Sequence, residues 1–292
     1  MSHKAGFVNI IGKPNVGKST LMNALTGENL SIVTAKAQTT RQRIMGILSG
    51  EDFQIVYSDT PGILTPAYEL HKIMMKYVRT ALEDADILLW VTDLQDKLND
   101  HPLLERLVNI QVPLLVVINK IDLHTQAEVI NKINYWQEQL PKAEVIPISA
   151  LEKFNLQRLF EAIMERLPEH PPYFDKEDLS DKSERFFAAE IIREKIFLNY
   201  RQEIPYCCDV GIVSFKESEG LIRISAEIYV ERESQKAIVI GEGGSMLKKV
   251  GTQARLDMEK FFGKKVFLQQ HVKVMPNWRN QKSKLERLGY VA

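Results

Sequence analysis

Residues 12–19 read Gly-Lys-Pro-Asn-Val-Gly-Lys-Ser, directly after the apolar run Phe7-Val8-Asn9-Ile10-Ile11. Two glycines at this spacing let a backbone turn tightly and approach an anion. Backbone amides and the start of a following helix then face the negative charge. The pattern is that of a phosphate-binding loop, with Gly12, Asn15, Val16, Gly17, Lys18, Ser19 and Thr20 as the candidate contacts. Lys18 is expected to reach the β and γ phosphates, and the Ser19 hydroxyl to hold Mg²⁺.

A second motif, Asp59-Thr60-Pro61-Gly62, follows Phe53–Tyr57. Asp59 is expected to hold Mg²⁺ through water. The Gly62 amide can donate to the γ phosphate and swing when that phosphate leaves. A third, Asn119-Lys120-Ile121-Asp122, follows Leu114–Ile118 and carries base choice. A carboxylate at Asp122 accepts both the ring N–H and the exocyclic amine of guanine. Adenine presents an acceptor in place of that N–H and would leave the carboxylate unpaired, a form of discrimination far stronger than apolar fit. The Lys120 stem can cover the base. Ser149-Ala150, after Val145–Ile148, can offer the Ala150 amide to the guanine carbonyl.

The polar stretch 31–43 lacks a helical period and fits a switch loop ordered by the metal and the γ phosphate. Thr40 is the expected metal ligand, with Thr39 the alternative. Lys18, Thr40 and Gly62 are the expected catalytic set. Arg41 and Arg43 read as exposed loop charges before phosphate or RNA contacts. Ile63 stands where many GTPases place a glutamine that orients the attacking water. An aliphatic chain cannot do so, so intrinsic hydrolysis is expected to be slow or to need outside help.

Four motifs meet only if their strands run parallel, because open α/β sheets bind ligands beyond the carboxyl ends of their strands. Runs at 7–11, 53–57, 87–91, 114–118 and 145–148 alternate with helical patterns, one of them periodic from Leu70 to Ala85. This predicts a P-loop α/β domain, a mostly parallel sheet with helices on both faces. Ile44–Leu48 is expected to add an antiparallel edge strand. The domain is bounded at 1–168. Residues 169–182 form a proline-rich acidic linker. Over 183–292 the order α-β-β-α-α-β predicts a separate small α+β domain.

Composition is that of an ordinary globular protein. No stretch approaches the roughly 18 apolar residues of a membrane span, and the start leaves no room for a signal peptide. Cys207 and Cys208 fit small half-buried strand residues better than a vicinal disulfide, and a reducing cytosol suits them. Net charge is zero, yet over 240–292 there are 11 Lys and Arg against 4 Asp and Glu.

These motifs, with Ala-Gln-Thr-Thr-Arg at 37–41, Glu-Ile-Ile-Arg-Glu-Lys at 190–195, Val-Ile-Gly-Glu-Gly-Gly at 239–244 and Leu-Gly-Tyr-Val at 288–291, resemble the Era family of bacterial GTPases over nearly the whole chain. The resemblance implies a type II KH domain in the second half. Gly241, Glu242, Gly243 and Gly244 would form its Gly-x-x-Gly turn, with Lys248 and Lys249 one turn into the next helix. On its own such a turn is commoner as a plain helix–helix connection. Glu242 departs from the expected basic residue and should weaken phosphate affinity. Ile238, Val239, Ile240, Leu247 and Val250 are the expected apolar groove wall. Trp278 fits a base-stacking residue and a core tryptophan equally.

The resemblance further implies GTP and GDP as ligands, Mg²⁺, K⁺ held through Asn15, and the 3′ end of 16S ribosomal RNA on the small (30S) subunit. A monomer in the cytoplasm is expected, and the resemblance implies peripheral contact at the inner face of the cell membrane, for which the sequence itself encodes no anchor. Three rival readings are a small-molecule phosphotransferase, an RNA adaptor with a vestigial GTPase, and a tRNA-modification GTPase. The guanine clamp, the intact Lys18, Ser19 and Asp59, and the KH-like half speak against each in turn.

Overall fold

The computed structural model describes residues 3–97 and 104–291. They form two compact units. The first comprises the chain to Ser31, Thr40–Thr65 and Met74–Asp181. Its sheet has the order β2-β3-β1-β4-β5-β6. The strands are β1 (Lys4–Ile11), β2 (Ile44–Ser49), β3 (Phe53–Asp59), β4 (Ile87–Thr92), β5 (Leu114–Ile118) and β6 (Glu144–Pro147). All pairs are parallel except β2 with β3, so the predicted antiparallel edge strand is present. Strands β4 and β5 are buried at every residue, as expected for parallel strands covered on both faces.

Helices α1 (Lys18–Thr26), α2 (Glu69–Glu83), α3 (Leu104–Val108), α4 (Gln126–Gln139) and α5 (Leu156–Arg166) follow successive strands. Helix α4 opens on a Thr125–Glu128 capping box, which satisfies two of its free amides. It buries Trp136 edge-on to Trp90, with ring centroids 6.4 Å apart. In the parallel register Ile10 pairs with Asp59, Thr92 with Ile118, and Ile118 with Pro147. The loops after β1, β3, β5 and β6 therefore leave the same edge of the sheet.

The stretch after α5 runs along this unit. Ala5 N donates to Pro168 O at 3.1 Å, and Ile47 N to Leu179 O at 2.9 Å. Gln54 Oε1 accepts the amides of Tyr173 and Phe174 at 2.7 and 3.0 Å. Pairing of Gly46 with Ser180 covers the otherwise open edge of β2.

Arg41 and Arg43 are corrections to the sequence reading. Both are buried. Arg43 Nε donates to Ser58 Oγ at 2.5 Å, and Nη2 to Asn9 Oδ1 at 3.1 Å and Asp84 Oδ1 at 3.0 Å. A guanidinium with that many acceptors is satisfied inside the sheet.

The second unit comprises Lys182–Ala292 with the short segments Ile32–Thr39 and Pro66–Ile73. It contains α6 (Glu184–Asn199), α7 (Ile204–Cys207), β7 (Asp209–Ser218), β8 (Leu221–Val230), α8 (Glu233–Ile240), α9 (Ser245–Phe262), β9 (Lys265–Val274) and α10 (Lys282–Arg287). Strands β7 and β8 form an antiparallel hairpin, and β8 pairs parallel with β9. The parallel pair needs a crossover, which α8 and α9 supply. Ile192, Ile196, Ile224, Ile228, Val250 and Ala254 lie at its core.

Helix α7 was not expected. Pro205 sits in its first turn, where a missing amide costs nothing. Cys207 therefore ends a helix rather than lying in a strand, neither thiol is in a disulfide, and both are fully buried rather than half-buried. Trp278 is fully buried and donates its indole N–H to Cys207 O at 3.0 Å. It is a core residue, stacked near Tyr290, and presents no face to a base.

Candidate functional site

The phosphate loop needs its glycines for space. A Cβ at Gly12 would lie 2.2 Å from the Val91 carbonyl oxygen. A Cβ at Gly17 would lie 2.2 Å from Asn119 Nδ2, and Gly17 holds a left-handed φ of 96°. Gly62 abuts the loop as well, since a Cβ there would meet Pro14 Cα at 2.7 Å. The next amide, Ile63 N, donates to Gly12 O at 3.1 Å. The Ile63 side chain is buried. Loop 59–63 thus rests directly on loop 12–17.

Lys18 opens α1 and is buried, with Nζ donating to Gly12 O at 3.1 Å and Lys13 O at 2.8 Å. Burial lowers its pKa to about 8, against the opposing pull of Asp59. Its ammonium lies inside the ring of loop carbonyls, ready for an anion. Thr20 follows in the first turn of α1.

Ser19, Thr40 and Asp59 come together. Ser19 Oγ donates to Asp59 Oδ2 at 2.6 Å and lies 2.9 Å from Thr40 Oγ1. Thr40 Oγ1 donates to the same carboxylate oxygen at 3.3 Å. Desolvation raises the Asp59 pKa, opposed by Lys18 and by the hydroxyls of Ser19, Ser31 and Thr40. Asp59 Oδ1 is buried with no hydrogen-bond partner. A carboxylate with one orphaned oxygen beside two hydroxyls is an all-oxygen donor set, the chemistry that suits a hard cation such as Mg²⁺. Thr39, the alternative ligand, is engaged elsewhere: its Oγ1 lies 2.6 Å from Thr34 Oγ1 and donates to Lys36 O at 2.7 Å.

Asn119 ties the base loops to the phosphate loop. Its Nδ2 donates to Val16 O at 2.9 Å, and its Oδ1 accepts the Ala150 amide at 2.9 Å. The amide expected at the guanine carbonyl is thus held by this asparagine, and must share or release that bond to meet a base. Ser149 is buried, and its Oγ accepts Glu152 N at 3.1 Å. Lys120 has φ 64° and donates from Nζ to Asn15 O at 2.5 Å, so its stem spans the mouth between the two loops. Asp122 is exposed in the short 3-10 turn Ile121–Leu123 beyond β5. Asn15, also exposed, holds φ 63° at the rim of the phosphate loop.

In the second unit, Lys36 Nζ donates to Phe197 O and Tyr200 O at the end of α6, a favourable place for a cation. Tyr200 OH donates to Val239 O at 2.6 Å, two residues before the glycine turn. Gln38 Oε1 lies 3.1 Å from His71 Nε2, and the Arg279 guanidinium stands 5.0 Å over the Tyr68 ring. None of these links is visible in the local sequence pattern.

The Gly-x-x-Gly turn joins α8 to α9. Gly241, Gly243 and Gly244 have φ of 73°, 56° and 78°, and Gly243 and Glu242 are exposed. A groove of about 370 Å³ runs from Gly244 past Leu247, Lys248 and Thr252 to Arg255, with Leu268 and Gln270 of β9 opposite. Lys249 borders a neighbouring depression with Ser245 and Gln253. The expected apolar wall is corrected here. Leu247 lines the groove, whereas Val239 and Val250 are fully buried core and Ile238 is half exposed. Thr252, Arg255 and Gln270 escaped the sequence reading. The helical spacing 244, 248, 251, 252, 255 was the signal that marks one face of α9.

Fold and site together define a P-loop GTPase joined to a KH domain. Residues 7–120 match the family of 50S ribosome-binding GTPases, and residues 203–279 match the KH domain family. The chain is similar, at 37% identity and a TM-score of 0.94, to Era in complex with MgGDPNP and nucleotides 1506–1542 of 16S ribosomal RNA, over 99% of this chain and 100% of that one. Aquifex aeolicus Era carrying a Tyr-to-Ala substitution, bound to GDP and AlF4⁻, is similar to the same degree over the same extent. The chain belongs to the Era family, and it is a GTPase.

Proposed function

We propose that this chain hydrolyses GTP to time its hold on the 3′ end of 16S ribosomal RNA, as an assembly factor of the small (30S) ribosomal subunit. The observation that carries this is the whole-chain likeness to Era bound to both MgGDPNP and that RNA. The groove beside three positive-φ glycines, with Lys248 and Arg255 on its wall, supports it.

Water is the nucleophile, and no covalent intermediate is needed. Lys18 moves its ammonium from the loop carbonyls to the β and γ phosphate oxygens. Ser19, Thr40 and Asp59 would hold Mg²⁺, which would supply positive charge to the phosphates when bound. Ile63 is buried and has no polar atom on its side chain to orient water. Further charge then has to come from elsewhere, and Asn15 at the loop rim would hold K⁺ beside the phosphates. Loss of the γ phosphate frees Thr40 and Gly62. Segments 32–39 and 66–73 belong to the same compact unit as the KH domain, which favours a link between nucleotide state and RNA affinity.

The matched GTPase family is described by 50S binding, which favours a second reading, the large subunit. That description covers the first domain alone, whereas the 16S-bound relative covers the whole chain. Sedimentation of cell lysate separates the two: the protein migrates with 30S particles on the first reading and with 50S on the second. We also place it as a cytoplasmic monomer with peripheral contact at the inner membrane face. Among the described residues no helix is long and apolar enough to cross a membrane. Vesicle flotation and light scattering test those two points.

A further inference from the structure

Along β9 the residues facing α9 and the core are Val266, Leu268, Gln270, Val272 and Val274. Gln270 is the polar member of an otherwise apolar row. Its Nε2 and Oε1 are both buried, and neither has a hydrogen-bond partner. It faces Gly251 of α9, where an added Cβ would lie 3.2 Å from its Oε1. It also lines the groove described above, alongside Gly251 and Arg255.

A buried amide that makes no bond is unfavourable, and a leucine or methionine would fill the same row without that cost. The amide therefore needs a partner from outside the protein. A phosphate would meet the donor but be repelled by the carbonyl. A nucleobase edge that presents an amine beside a ring acceptor matches both atoms at once, and adenine is the usual partner of a glutamine amide. Unstacked bases in single-stranded RNA expose those edges. Gln270 has three rotatable side-chain bonds, and Gly251 leaves room for them.

We propose that Gln270 turns into the groove and reads an adenine of the bound RNA, making it a specificity-determining residue. This rests on the ribosomal RNA reading. The probe is the RNA of 16S nucleotides 1506–1542, with each unpaired adenine replaced in turn by purine, which lacks the 6-amine and keeps the ring acceptors. Affinities are measured with GDPNP for wild type, Gln270→Met and Gln270→Glu.

At one position the exchange weakens wild-type binding on the order of tenfold, and Gln270→Met binds both RNAs equally at the weaker level. Gln270→Glu keeps the shape but sets a second acceptor against the ring nitrogen, and binds the parent RNA no better than Gln270→Met does. For Gln270→Met the salt dependence is unchanged, because no charge and no phosphate contact is altered. If both variants keep the wild-type pattern of preference at every position, or lose affinity by one factor at all positions alike, the proposal is overturned and the residue is structural. If wild type fails to bind the parent RNA, the ribosomal RNA reading falls and this proposal falls with it.

Discussion

Replacement of Lys18 by methionine tests the phosphate loop in two ways that point in opposite directions. Lys18 is buried, and burial lowers its pKa from 10.5 to about 8. A lowered lysine pKa means the folded state binds its proton less tightly than the unfolded chain does. Keeping that charge below pH 8 then disfavours folding by about 3 kcal/mol at 1.36 kcal/mol per pH unit. The penalty is fully present below pH 8 and is relieved as pH rises from 8 toward 10.5. Methionine has a similar length and no charge to desolvate. It loses the bonds to Gly12 O and Lys13 O, but Gly12 O still accepts Ile63 N. Lys18→Met should therefore unfold at higher denaturant than wild type at pH 7, by roughly 1–3 kcal/mol, with the gap closing by pH 10. Its GTP affinity should fall by at least about 100-fold, because charge-assisted bonds to phosphate are worth roughly 1.5–3 kcal/mol each. Urea titrations across pH 7–10 and fluorescent-nucleotide titrations read both quantities. A variant that binds GTP as wild type does, or one destabilised equally at pH 7 and pH 10, would refute the reasoning.

Asp122→Asn should lower GTP affinity by roughly 100-fold or more and favour xanthosine triphosphate, whose added carbonyl accepts from the new amide; competition between the two nucleotides reads the ratio, and an unchanged ratio removes Asp122 from the base site. Gly243→Asp should weaken RNA binding on the order of tenfold while basal hydrolysis holds. The position is open and aspartate tolerates its φ of 56°, so the effect is charge rather than misfolding. Equal RNA affinity in that variant would remove the glycine turn from the RNA site. Hydrolysis should be faster in K⁺ than in Na⁺ at matched ionic strength, and the difference should vanish in Asn15→Ala; equal rates in the two salts with wild type dispose of the cation site.

The residues that were legible in the sequence are those whose reason is local. Gly17-Lys18-Ser19 follows a strand and opens a helix, so its role could be read where it stands. The runs 87–91 and 114–118 announced parallel strands because both faces had to be apolar. Ile44–Leu48 could be placed at the edge because it precedes a tight turn into β3. The residues that were hidden owe their roles to distant partners. Arg43 looked like a loop charge until Asp84 and Asn9 folded around it. Trp278 could not be placed without Cys207 as its acceptor. Lys36 caps α6 from more than 150 residues away. Gln270 stands out when its row on β9 is seen against Gly251, a pairing that no spacing encodes.

The central claim is that guanine nucleotide state sets the grip on RNA. Its most direct measurement is the affinity of the purified protein for 16S nucleotides 1506–1542 with GDPNP, with GDP, and with an ATP analogue. The account predicts binding about 5- to 150-fold tighter with GDPNP than with GDP, the usual span of a 1–3 kcal/mol coupling, and no gain with the ATP analogue. Equal affinity in all three conditions would contradict it.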